Sequence, residues 1–78
     1  MSFSVISKSK KAIDIVFENS KMIVFLEDGR ELLIPLEWFP RLRKATVEQL
    51  SKWRFIGNGE GVHWEEIDED ISIENLLE

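Results

Sequence analysis

The chain has 78 residues and a mass of 9.2 kDa, with 44% hydrophobic residues, 32% charged residues and a formal net charge of −5. A domain this small buries only about 60% of the surface it exposes when unfolded, which excludes a large enzyme with a deep pocket, and the composition excludes a disordered tail or a membrane span. The charge is divided: residues 1–45 hold eight Lys/Arg against six Asp/Glu, net +2, whereas residues 46–78 hold two against nine, net −7. Affinity for phosphates comes mainly from clustered Lys and Arg, so a bare nucleic-acid binder is not expected.

With no cysteine there is no disulfide framework, no thiolate nucleophile and no zinc knuckle of the usual kind. Met1 to Lys11 offers only scattered Phe3, Val5 and Ile6 before a lysine cluster, well short of a signal-peptide apolar stretch. No run approaches the length of a transmembrane helix. These features predict one cytoplasmic domain over residues 1–78, with residues 1–11 as a loosely ordered leading segment.

Ala12 to Glu18 places Ile13, Ile15 and Phe17 on one side of a two-residue repeat and predicts a strand. Asn19-Ser20-Lys21 is a polar break suited to a hairpin turn, and Met22 to Leu26 is a second β-rich apolar run. Asp28-Gly29 then favours a tight reversal into a third strand, Glu31 to Ile34, which makes a three-stranded antiparallel meander. Pro35 ends that strand because it has no amide to donate. Leu36, Phe39 and Leu42 recur three apart, as in a short helix with Pro40 in its first turn. Thr46-Val-Glu-Gln49 has the capping-box pattern and predicts a second short helix to about Lys52 that buries Val47, Leu50 and Trp53. Phe55-Ile56 and Val62 to Trp64 flank the glycine-rich Gly57 to Gly61 as a second, short hairpin. Ser72 is placed to cap a final turn that sends Ile73, Leu76 and Leu77 into the core. The predicted fold class is α+β: an antiparallel sheet, formed by the meander and the short second hairpin, with two to three short helices.

Chemistry-bearing residues are few. Glu65, Glu66, Asp68, Glu69 and Asp70 put five carboxylates into six residues. The spacing lacks the Asp-x-Asp-x-Asp-Gly order of a calcium loop, and Ile67 and Ile71 interrupt the run at core-like positions. It reads as a solvated cap segment or as a docking surface for a basic partner. His63 is the only histidine, which leaves a single general base, oriented by Glu65, Glu66 or Asp68, as the one catalytic arrangement within reach. Gly57-x-Gly59-x-Gly61 is not followed by Lys-Ser/Thr or by a helix, so nucleotide binding is not expected. Of Trp38, Trp53 and Trp64, two are expected in the core and one exposed. Arg41, Arg43 and Lys44 lie beside Trp38 and are suited to phosphate or to an acidic surface.

The succession Glu27-Asp-Gly-Arg30, Ile34-Pro-Leu-Glu-Trp-Phe-Pro-Arg-Leu42, Ala45-Thr46, Trp53, Ile56-Gly-x-Gly-x-Gly-Val-His-Trp64 and Asp68-Glu-Asp-Ile-Ser72 with Leu76-Leu77 resembles the bacterial domain-of-unknown-function family 2442 over about residues 12–78. That resemblance implies a small α+β domain, found alone or joined to a helix-turn-helix domain, and sometimes encoded beside a second small protein in a toxin–antitoxin-like arrangement. It implies no catalytic residues, and it favours partner binding in a bacterium or phage. The chain is expected to stop where a fused DNA-binding domain would begin.

The leading expectation is a non-catalytic protein-binding module, antitoxin-like or regulatory, that engages a basic protein through Glu65, Glu66, Asp68, Glu69 and Asp70 together with Trp38 and Arg41. No cofactor, metal, membrane or direct nucleic-acid contact is expected. Two alternatives stay open: a phage-type inhibitor that mimics nucleic acid with its carboxylates, and a small hydrolase using His63 and nearby carboxylates. Homodimerisation through a sheet edge or a tryptophan patch is also open.

Overall fold

The computed structural model describes residues 8–77. The first meander forms β1 (Ala12–Glu18), β2 (Lys21–Leu26) and β3 (Glu31–Pro35), antiparallel in the order β1-β2-β3. Its turns are set by local chemistry. Asn19 and Ser20 both take positive φ, 50° and 61°, the condition for a hairpin turn whose twist matches that of the strands. At the second reversal Gly29 has φ 95°, a conformation glycine adopts without a Cβ penalty. The Asp28 carboxylate there accepts from the Arg30 amide at 3.1 Å and from Arg30 Nε at 3.0 Å.

The two-residue repeat predicts Ile13, Ile15 and Phe17 on one face, but the structure buries Ala12 and Ile15 and leaves Ile13 60% exposed. A β-bulge is the cause. Ala12 pairs with Leu26 and Asp14 with Phe25, so Ile13 is the extra residue opposite no partner.

The second half forms its own antiparallel sheet from β4 (Trp53–Ile56), β5 (Gly61–Trp64) and β6 (Glu69–Ser72), in the order β4-β5-β6. The expected short hairpin is therefore a three-stranded meander, and its third strand is the back half of the acidic run. Asp and Glu are poor strand formers by propensity, which hid β6 in the sequence; burial of Ile71 on the core side secures it.

The single helix expected over 36–42 divides into a 3₁₀ turn, Leu36–Trp38, and α1 (Pro40–Lys44). Phe39 interrupts them with φ −129° and ψ 89°, because a residue before proline is pushed out of the helical region. Leu36, Phe39 and Leu42 still turn inward as their spacing predicts. Helix α2 (Val47–Ser51) carries the full capping box: the Gln49 amide donates to Thr46 Oγ1 at 3.1 Å, and the Thr46 amide donates to Gln49 Oε1 at 2.9 Å. Leu50 is buried, but Val47, at the first position of the helix, is 85% exposed rather than in the core. Trp53 has left the helix for β4 and packs edge-to-face on Phe55, centroids 4.9 Å apart. Helix α3 (Ile73–Leu76) begins under the Ser72 hydroxyl, which accepts from the Asn75 amide at 3.4 Å; Ile73 is fully buried, with Leu76 and Leu77 packed on the core.

Both sheets contribute to one core that includes Ile15, Met22, Val24, Leu26 and Ile34 from the first and Val62, Trp64 and Ile71 from the second. Trp64 is its largest fully buried side chain; its ring meets Phe17 edge-on at 6.3 Å and its indole N–H donates to the Leu50 carbonyl at 3.0 Å. The sheets also meet through backbone. The Ala12 amide donates to the Gly59 carbonyl at 2.7 Å, and a Cβ on Gly59, whose φ is 88°, would lie 2.2 Å from the Ala12 carbonyl oxygen. Only glycine fits that position.

Of the leading segment expected over residues 1–11, residues 1–7 lie outside the described part. The remainder is tied to the first sheet. The Ser9 amide donates to Asp28 Oδ2 at 2.8 Å, Arg30 Nη2 donates to the Ser9 carbonyl at 2.9 Å, and the Glu27 amide donates to the Lys11 carbonyl at 2.9 Å. Among the described residues no helix is long and apolar enough to cross a membrane.

Candidate functional site

Strand alternation breaks up the five carboxylates. Glu65, Glu66 and Asp68 belong to the turn between β5 and β6, whereas Glu69 and Asp70 lie on β6 and point to opposite sides of the sheet. Ile67 is half-buried against the core and pins the turn from beneath. Asp68 takes positive φ, 50°, and its carbonyl accepts from Arg41 Nη1 at 2.6 Å. Arg41 thus ties α1 to the acidic turn through backbone and leaves the Asp68 carboxylate unneutralised.

Two of the other carboxylates are matched internally. Glu66 meets Lys52 Nζ at 3.1 Å, and Lys52 also reaches Glu48 at 3.5 Å. The hydrogen bond to Glu66, reinforced by its charge and by Glu48, raises the Lys52 pKa above its ordinary value. Asp70 bonds to His63 Nδ1 across the β5–β6 pair, in which the two residues are directly opposed. Glu65 and Asp68 make no ion pair with any described residue, and both are exposed.

His63 is expected to be oriented by Glu65, Glu66 or Asp68; its partner is instead Asp70. The reason is register. His63 and Asp70 share the outer face of the second sheet, while Glu65 and its neighbours have already left the strand. Among the described residues no hydroxyl bonds to the imidazole. Arg54 completes the row, opposite His63 on the other side. Two clefts flank this region, one of about 510 Å³ lined by Ser9, Lys11, Glu60 and Ser72, the other of about 330 Å³ over Gly61 beside Ile56 and Asp70. His63 lines neither. No three His, Asp or Glu side chains of the described residues are grouped to hold a metal ion.

Trp38 is 63% exposed, Trp53 half-buried and Trp64 fully buried. The exposed indole follows from the 3₁₀ turn, which sends Leu36 inward and Trp38 out, three residues ahead of Arg41. The structure therefore joins Arg41 to Asp68 and keeps Trp38 on the adjoining turn. It withdraws Asp70 to the sheet face and Glu69 to a half-buried position. Sequence reasoning missed the His63–Asp70 pair, which a register matching the apolar Val62 with Ile71 would have revealed.

Two solved structures share this architecture. A protein of unknown function from Rhodospirillum rubrum superposes with a TM-score of 0.74 at 30% identity, over 86% of this chain and 83% of that one. An uncharacterised protein from Chromobacterium violaceum gives a TM-score of 0.73 at 26% identity, over 86% of this chain and 63% of that longer one. No curated protein matches the chain significantly. The model of the family described as "Protein of unknown function (DUF2442)" matches residues 12–78, from the first residue of β1 through α3, and the chain belongs to that family.

Proposed function

We propose that the domain is a non-catalytic protein-binding module, antitoxin-like or regulatory, that masks a basic surface on its partner. The observation that carries this reading is the Arg41–Asp68 bond, which ties the helix that follows the exposed Trp38 turn to the β5–β6 turn and its exposed carboxylates. An exposed tryptophan supplies the large apolar contact that anchors an interface. Glu65 and Asp68, which form no ion pair with a described residue, supply steering and register toward Lys and Arg. Glu66, Glu69 and Asp70 contribute charge at longer range, since each is partly committed within the domain.

The test is co-purification with the product of the adjacent gene. Wild type is expected to form a complex that weakens with added salt. Neutralising Glu65, Glu66, Asp68, Glu69 and Asp70, or replacing Trp38 with alanine, is expected to lower affinity about tenfold or more, while His63→Ala leaves it unchanged. Absence of a complex, or a complex indifferent to these changes, overturns the reading. Competition by duplex DNA would assign the partner's surface to nucleic-acid binding, and this domain to the nucleic-acid-mimicking variant of the same class.

A further inference from the structure

The first sheet has an outer face that none of the described residues covers. Register places Val16, Ile23 and Leu33 side by side across its three strands, with Phe25 in the next row. The bulge adds Ile13 at the margin. Three of the six exposed large apolar side chains among the described residues, Ile13, Val16 and Leu33, are gathered here. A half-solvated antiparallel sheet ordinarily alternates apolar inward with polar outward, and this centre row breaks that rule on all three strands.

The rim is acidic. Asp14 and Glu31 bracket Phe25, and Glu18 stands beyond Val16 opposite Lys21. Asp14, Glu18 and Glu31 are all exposed, and none forms an ion pair with a described residue. We propose that this face is a second docking surface, for a short partner segment with an apolar centre flanked by lysine or arginine. It is separate from the β5–β6 turn and does not depend on the function proposed for that turn.

Two arguments select a basic segment over a second copy of the chain. Three strands spaced about 4.8 Å apart and three outward rows give a face of roughly 300 Å², far below the roughly 800 Å² per partner of a stable interface between folded proteins. A face-to-face pair would also bring like charges together. A two-fold axis along the strands sets Asp14 of one copy over Glu31 of the other, and an axis across the strands sets Asp14 over Glu18. A segment with basic flanks meets the same carboxylates favourably.

The probe is an amphipathic peptide of leucine and lysine, titrated into the isotope-labelled full chain, with a leucine–glutamate peptide of the same pattern as control. The lysine peptide is expected to shift the amide resonances of Val16, Ile23, Phe25 and Leu33, with an effect that fades as salt rises. Leu33→Lys and Val16→Lys replace exposed side chains, so the dispersed spectrum of a folded protein is retained while affinity for the peptide falls about tenfold. Glu65→Gln with Asp68→Gln leaves these shifts in place, which separates this face from the acidic turn. Equal response to both peptides, shifts confined to residues 65–70, unchanged binding in both lysine variants, or concentration-dependent shifts of this face without peptide would each overturn the proposal.

Discussion

Both sheets are three-stranded antiparallel meanders with strands in sequential order, yet they use their outer faces in opposite ways. The first presents an aliphatic row, Val16–Ile23–Leu33; the second presents a charged row, Arg54–His63–Asp70. Their inner faces differ as well, since the first fills the core with several medium-sized side chains and the second concentrates its contribution in Trp64. The first sheet is therefore redundant in what holds it, and the second depends on a few contacts.

The largest effect that would break this contrast is at Trp64. Trp64→Ala removes the biggest fully buried side chain and strands the Leu50 carbonyl, and about 3–5 kcal/mol of stability is expected to go with it in urea unfolding. A cost below about 1 kcal/mol would show that the second sheet does not hang on this residue. Next is Gly59→Ala, which forces a Cβ into the Ala12 carbonyl at a backbone conformation that L-residues disfavour; about 2–4 kcal/mol is expected, read as a drop of some 10 °C or more in thermal midpoint. Unaltered stability would mean that the joint between the sheets is slack.

The smallest expected effect concerns the first sheet and is set by pH. Hydrogen bonds from the Ser9 and Arg30 amides, with help from the Arg30 guanidinium, hold the Asp28 pKa below its ordinary value. A carboxylate depressed in the folded state stabilises the fold above its unfolded pKa and loses that contribution as pH falls through the folded pKa. Acidification is thus expected to release Ser9 to Lys11 before the sheets unfold, seen as faster amide exchange at Ser9 and Arg30. Asp28→Asn is expected to show that release already at neutral pH, and identical acid profiles for the two proteins would show that Asp28 is not the clasp.

What the sequence revealed follows the same division. The first meander was legible because its turns carry turn residues and its strands are apolar, and both capping residues, Thr46 and Ser72, announced their helices. The bulge was not legible, because Ile13 fits the two-residue repeat as well as Ile15 does and only pairing with β2 displaces it. Strand β6 was obscured by its own carboxylates, and the break at Phe39 by the helical spacing of Leu36 and Leu42 around it. For the candidate site, the sequence places Trp38 and Arg41 close together, and Arg41 touches the acidic turn. In sequence the acidic run is one patch, whereas strand alternation divides it, a distinction that requires knowing where β5 ends and β6 begins.

The joint at Gly59 bears on how the chain reaches this structure. Every strand pairs with a neighbour in sequence, across connections of two to four residues, so each meander closes small loops at little entropic cost and can assemble by itself. The contacts between the sheets are the distant ones: the Ala12 amide reaches the Gly59 carbonyl through backbone, and the rings of Phe17 and Trp64 meet in the core. Docking, rather than strand pairing, is the step in which long-range order is set, and the missing side chain at Gly59 is one condition for the two surfaces to close.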